Sequence, residues 1–411
     1  LEEAYRSMIQ RTPKEQKGRR LILWKTLADL YYRALRNPEA AIMAYEVVSG
    51  LDRDNAEILD MLAELYSSKE KYREKAIKTY HQLIRVTTNP VKVCKALKRL
   101  YITTKQYDRV YIICNVLKFL KQADAEDERI ISQLRAKLRD VSARSITENL
   151  WESAILHEQA KGVISAIFSA VLKKYPELFF APPEAYGLKK TDYIDVNTSQ
   201  LFAASMLRYV KGVLNVQGLQ AYKGQIGSSG IRLIATNPPA LVLGEDMFKE
   251  RSKKEIWLLM AKELTFIRPE FLILVSKPPE HLDAILNAVL AVVQPSALMD
   301  GNPVLNQEYA RLFAPKMTPD TLMLFKALAS RFYSEKVRPR IEDFKEGAEL
   351  SSIRAGVAIT QDFEFALSMI QKIPFRIFKI PPRTLLREIV IYYMSEEYMD
   401  LREKLGLSVT I

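Results

Sequence analysis

Apolar residues recur at helical spacing along the first third of the chain, and the pattern itself repeats. Trp24-x-x-Leu27-Ala28-x-x-Tyr31 returns as Leu59-x-x-Leu62-Ala63-x-x-Tyr66 and again as Cys94-x-x-Leu97-Lys98-x-x-Tyr101, with anchors 35 residues apart. A second set follows each one: Ala41 with Tyr45, Ala76 with Tyr80, Val110 with Cys114. Positions i, i+3, i+4 and i+7 share one face of a helix, so each unit predicts two amphipathic helices. The small residue lets the two helices approach, and the large ones fill the gap to the next pair, so each unit needs neighbours to bury its face. Three such units cover about residues 20–122.

This register resembles the tetratricopeptide repeat, whose first helix carries W-x2-L-G-x2-Y and whose second carries A-x3-F. Two features depart from it: Lys98 takes the small-residue position of the third unit, and Arg53 stands where a proline usually follows the first. The resemblance implies an α-solenoid that binds a peptide or protein on the face made by the first helices. Groove positions counted from the anchors are Lys25, Asp29, Tyr32 and Arg33, then Asp60 and Glu64, then Lys92, Lys95 and Arg99. The third segment is basic and suits an acidic partner. The family's clamp for a terminal carboxylate is only half present, because Asp29, Met61 and Ala96 occupy its other positions.

Beyond the repeats, Asp124–Glu128 reads as an acidic helix start, with Ile130–Val141 and Ser145–Lys174 continuing at helical spacing. Ala181-Pro182-Pro183 and Gly187 bar further helix and mark a boundary. The expected organisation is therefore 1–125 repeats, 126–180 helical connector and 181–411 a second domain. That domain opens with a helix around Ser199–Val213. Two strand-like stretches follow, Leu219–Lys223 and Ile231–Ala235, with the glycine-rich Gly224–Gly230 read as the loop of their hairpin. Further helices are expected over Lys253–Ile267, Glu280–Val293, Thr318–Phe332, Asp362–Lys372, Arg383–Met394 and Glu396–Leu405. The fold class is mostly α, a helical array followed by an α+β domain with a small sheet.

Within the expected helix Lys253–Ile267 lies Lys262-Glu263-Leu264-Thr265-Phe266. A zinc site of the form His-Glu-x-x-His puts two imidazoles on one helical face, with the glutamate as general base. Here Lys262 and Phe266 hold the histidine positions and Glu263 keeps the base position. Further on, Glu349-Leu350-Ser351-Ser352-Ile353-Arg354-Ala355-Gly356 is similar to E-L-x-A-D-R-x-G, with Ile353 in place of the aspartate. Together these resemble the gluzincin metallopeptidases that include bacterial heat-shock membrane peptidases and prenyl-protein endopeptidases, over about residues 196–370. That resemblance implies a fold with an edge strand at Asn237–Gly244 and a third metal ligand at Glu349. It also implies that the metal is lost, because a charged ammonium and a phenyl ring cannot ligate zinc. Lys262 is expected to pair with Glu349 or Glu263, leaving a vestigial pocket of Lys262, Glu263, Phe266 and Glu349.

Composition adds limits. The net charge is +12, and residues 1–125 hold 24 Lys+Arg against 15 Asp+Glu, so +9 of it lies there. Such a surface suits nucleic acid or an acidic protein; few aromatics interleave with these lysines, which weighs against nucleic acid. His81, His157 and His281 are scattered, and Cys94 and Cys114 make no C-x-x-C, so no metal or cofactor is expected. Two cysteines in helical segments suit a reducing compartment, and a cytoplasmic protein is expected. No apolar run reaches membrane-spanning length. The chain opens at Leu1 in a helical pattern, as a piece of a longer protein would. The expectation is a bacterial pseudoenzyme acting as a non-catalytic interaction scaffold. The alternatives are a metallopeptidase with non-standard ligands and a nucleic-acid binder.

Overall fold

The structure, a computed structural model, describes residues 1–224, 230–249 and 251–409. Among these the chain is mostly helical with one three-stranded sheet. It groups into two compact units, one of Leu1–Leu138 with Tyr393–Met399 and Ser408–Ile411, the other of Arg139–Tyr392 with Asp400–Leu407. The division thus falls after Leu138, inside the segment expected as a connector: residues 126–138 are counted with the first unit and 139–180 with the second.

The first unit contains α1 (Glu2–Arg11), α2 (Lys17–Asp29, continued by a wider turn to Ala34) and α3 (Pro38–Leu51). Then come α4 (Ala56–Ser67), α5 (Arg73–Val86), α6 (Pro90–Thr103), α7 (Tyr107–Phe119) and α8 (Ala125–Arg135). Each packs on the next in chain order. Asn37, Asn55 and Asn89 cap α3, α4 and α6 by accepting a backbone N–H three residues on, satisfying donors the helix leaves unpaired. The repeated anchors from Leu27 to Cys114 are buried, with Ala28, Ala41, Ala63 and Ala76 fully so, and Trp24 is half-buried. Lys98 breaks the small-residue rule without breaking the packing. Its ammonium leaves α6 to meet Asp127 Oδ1 at 2.7 Å, inside the capping box that starts α8. Burial opposes ionisation of Asp127, but Lys98 and the Asp124 backbone outweigh it and hold this carboxyl low.

The second unit begins with α9 (Glu148–Leu150, continued by a wider turn to Ile155) and α10 (Val163–Lys174). The expected single run Ser145–Lys174 is therefore broken, at a short 3-10 turn over Glu158–Ala160 and at Gly162 with φ 102°. After α11 (Phe202–Val213) come β1 (Gln220–Lys223), β2 (Ile231–Ile234) and β3 (Ala240–Leu243). Next are α12 (Asp246–Lys249), α13 (Lys253–Thr265), α14 (Pro269–Ser276), α15 (Pro279–Leu290), α16 (Pro303–Phe313) and α17 (Pro319–Ser334). The chain then forms α18 (Ile341–Thr360), α19 (Phe363–Ile370), α20 (Pro382–Tyr393) and α21 (Glu396–Lys404).

The sheet corrects two expectations. Its order is β1-β3-β2, with β3 parallel to β1 and antiparallel to β2. So β1 and β2 do not form a hairpin with each other; residues 225–229 of the expected loop lie outside the described residues. Nor is Asn237–Gly244 an edge. All four residues of β3 are apolar and buried, as suits a central strand covered on both faces. Both sheet edges are also occupied. Ile194 N–H donates to Ala221 O beside β1, and Ala181 N–H donates to Ala235 O just past β2.

The helix bearing Lys262 makes its main packing against α18, and also lies on β2. Gly356 permits that approach. A Cβ there would stand 3.3 Å from Leu258 Cγ and 3.5 Å from Lys262 Cγ. Gly347, a few turns earlier, meets the 3-10 turn so closely that a Cβ would fall 2.3 Å from Ala160 N.

Candidate functional site

Helix α13 is started by Ser252, whose hydroxyl accepts the Glu255 N–H. From Ile256 onward every residue of it is buried. A helix apolar and buried all round is a core element, so the charges it carries must find partners inside the protein. Lys262 and Glu349 do so together. Lys262 Nζ lies 3.3 Å from Glu349 Oε1, with side chains 5% and 0% exposed. Glu349 Oε2 accepts two backbone N–H groups, from Arg376 at 3.0 Å and Ile377 at 2.9 Å.

Glu263 is not the partner of Lys262. Its Oε2 accepts the Leu233 N–H of β2 at 2.9 Å. Burial pushes this carboxyl up, against the opposing pull of the Arg376 charge, the Leu233 N–H and Lys262. Arg376 completes the group: its Nη2 donates to Leu233 O at 2.8 Å, and its charge favours ionised Glu263. Burial in turn lowers the guanidinium, which Glu263 and Glu349 offset in part.

The N–H and C=O of Leu233 both face away from β3. Gly244 N–H donates to Gly230 O, which assigns the even positions of β2 to the ladder and turns the odd ones outward. Glu263 and Arg376 thus occupy the backbone groups that an added strand would need. Phe266 is fully buried and packs edge-on near Phe271, ring centroids 6.3 Å apart; Phe271 in turn lies 5.8 Å from Phe344 of α18.

These residues do not fit zinc. The cationic Nζ of Lys262 sits on the carboxylate oxygen a metal would need, the other oxygen serves two backbone donors, and Phe266 offers only carbon. Among the described residues, no group of three or more His, Cys, Asp or Glu is arranged to hold a metal ion. A general base must also reach a water or substrate proton, whereas Glu263 is 8% exposed and bound to backbone. What the arrangement does chemically is tie α13, α18, β2 and the segment after α19 through one buried and one half-buried cation and two buried carboxylates. Arg376 was invisible in the sequence reading, because it lies in an irregular apolar stretch and matches no motif.

In the first unit the predicted groove residues divide. Lys25 Nζ pairs with Glu57 Oε2 at 2.7 Å, and Lys92 Nζ with Asp60 at 2.6 Å and Glu64 at 2.7 Å. These bridges run from α2 to α4 and from α4 to α6, so ion pairs link the first helices of successive units. Asp29 is engaged internally, accepting the Tyr45 hydroxyl at 2.5 Å. Tyr32, Arg33, Lys95 and Arg99 are exposed, and Lys95 and Arg99 make no ion pair among the described residues. The basic segment is therefore narrower than charge alone suggested. Lys92 is neutralised and its proton held more tightly by Asp60 and Glu64, which leaves Lys95 and Arg99.

Set against protein-family models, curated proteins and solved structures, the chain matches none of them.

Proposed function

We propose that this protein is a non-catalytic protein–protein interaction scaffold, in which a tetratricopeptide-type array is joined to a peptidase-like domain that has exchanged its metal for buried ion pairs. The observation that carries the reading is the Lys262 ammonium on Glu349, at the point where the two motif helices meet. The ion pairs from α2 to α4 and from α4 to α6 support the repeat assignment, and the exposed Lys95 and Arg99 mark where an acidic partner docks. The sheet takes no part in recognition by strand addition, since both of its edges are occupied.

The test is affinity capture with the intact chain and with Lys95→Glu/Arg99→Glu, alongside a peptidase assay on unfolded protein substrates. The reading expects no hydrolysis and loss of the captured partners from the double variant. Hydrolysis abolished by Glu263→Gln, or capture unchanged by the double reversal, would reject it.

A further inference from the structure

The segment between α19 and α20 has no regular secondary structure and is rich in large apolar residues, Ile373, Phe375, Ile377, Phe378 and Ile380. Only Ile380 is fully buried; the other four are half-buried, and Pro374 and Lys379 are exposed. Apolar packing therefore holds this stretch weakly for its composition. Its polar ties are concentrated at one point. The N–H groups of Arg376 and Ile377 both donate to Glu349 Oε2, and the Arg376 guanidinium donates to Leu233 O.

We propose that residues Ile373–Ile380 form a releasable strap over the charged pocket, latched by the Glu349 carboxylate. Latched, the strap holds the Leu233 carbonyl through Arg376 and sits on the Glu349 carboxylate beside Lys262. Released, it uncovers that part of the β2 edge and frees Phe375 and Phe378 from their half-buried places. A carboxylate suits the latch because its two oxygens are acceptors only, one for Lys262 and one for the paired strap amides. A carboxamide of the same shape cannot serve both. Its NH2 group must face either the ammonium or the strap N–H groups, and either choice sets donor against donor. The inference concerns Glu349 and the strap alone, and stands whether or not the pocket descends from a metal site.

The test is hydrogen–deuterium exchange of the full chain at neutral pH, followed in peptides spanning 373–380 and in peptides of α13 and α18. Glu349→Gln is expected to speed exchange at Arg376 and Ile377 at least about tenfold more than in α13 and α18, which share only the general loss from leaving Lys262 without its charge partner. Arg376→Gln, which keeps both backbone donors on Glu349, is expected to speed strap exchange by a smaller factor. Unchanged strap exchange in Glu349→Gln would mean that apolar packing holds the strap, and overturns the proposal. So does loss of protection spread equally over α13 and α18, which would make Glu349 a core strut. Should Glu349→Gln fail to fold, Glu349→Asp, which keeps the charge but draws the carboxylate back from the strap amides, decides the matter, and strap exchange equal to the parent's overturns the proposal.

Discussion

A lysine ammonium buried to 5% exposure is tolerable only beside a charge, and Glu349 supplies that charge at 3.3 Å. Lys262→Met leaves an uncompensated carboxylate in the interior, and is expected to cost about 3–5 kcal/mol of unfolding free energy by chemical denaturation. Lys262→Met/Glu349→Gln is expected to recover part of the loss, because a neutral amide is cheaper to bury than a lone charge. A second buried group gives the first unit an acid sensitivity. His81 Nε2 shares a 2.6 Å hydrogen bond with Tyr101, and burial, helped by Arg109, pushes the imidazole down to about 4 from 6.5. The unfolded chain takes up this proton as pH falls below about 6.5 while the folded chain does not, so stability is lost between those values. Urea unfolding at pH 7 and pH 4.5 is expected to differ by about 2 kcal/mol from this residue, and His81→Gln to flatten the difference. At this scale the sequence was a good guide to which charges matter and a poor one to their partners. Lys262, Glu263 and Glu349 stood out by motif position, yet the choice of Glu349 over Glu263, and the part of Arg376, depend on where an irregular loop returns.

Helix existence was largely legible along the chain because the repeat register and the apolar periodicity act locally. The sheet was not legible. β3 lies between β1 and β2 through pairings that no short-range pattern encodes, and its unbroken apolar run was the available sign of a central strand. The break within 145–174 depends on Gly162, whose positive φ an L side chain rarely adopts. Tight approaches between elements give a further prediction. A Cβ at residue 347 would fall 2.3 Å from a backbone nitrogen that cannot move alone. Gly347→Ala is therefore expected to destabilise the second unit by about 1–3 kcal/mol, read as a lowered Tm. Gly356→Ala meets Leu258 Cγ at 3.3 Å, a tight contact but no overlap, and is expected to cost less. Equal losses in the two variants would show that the 3-10 turn is not a fixed neighbour of α18.

For the molecule as a whole, the number of basic groove residues overstated the free cations. Of the five, Lys25 and Lys92 are paired with acidic residues of the neighbouring repeat. On the proposed scaffold reading, Arg33, Lys95 and Arg99 would carry the electrostatic part of partner binding, which should weaken as salt rises to the extent of about three exposed charges rather than five. No helix among the described residues is long and apolar enough to cross a membrane. In the proposed scaffold, the Lys262–Glu349 pair stands where a metal would otherwise be held. Elemental analysis of the purified chain, with Tm recorded before and after a strong chelator, tests this most directly. The account predicts zinc well below one ion per chain (roughly a tenth or less) and an unmoved Tm. One zinc per chain, removed by the chelator together with a fall in Tm, would contradict it.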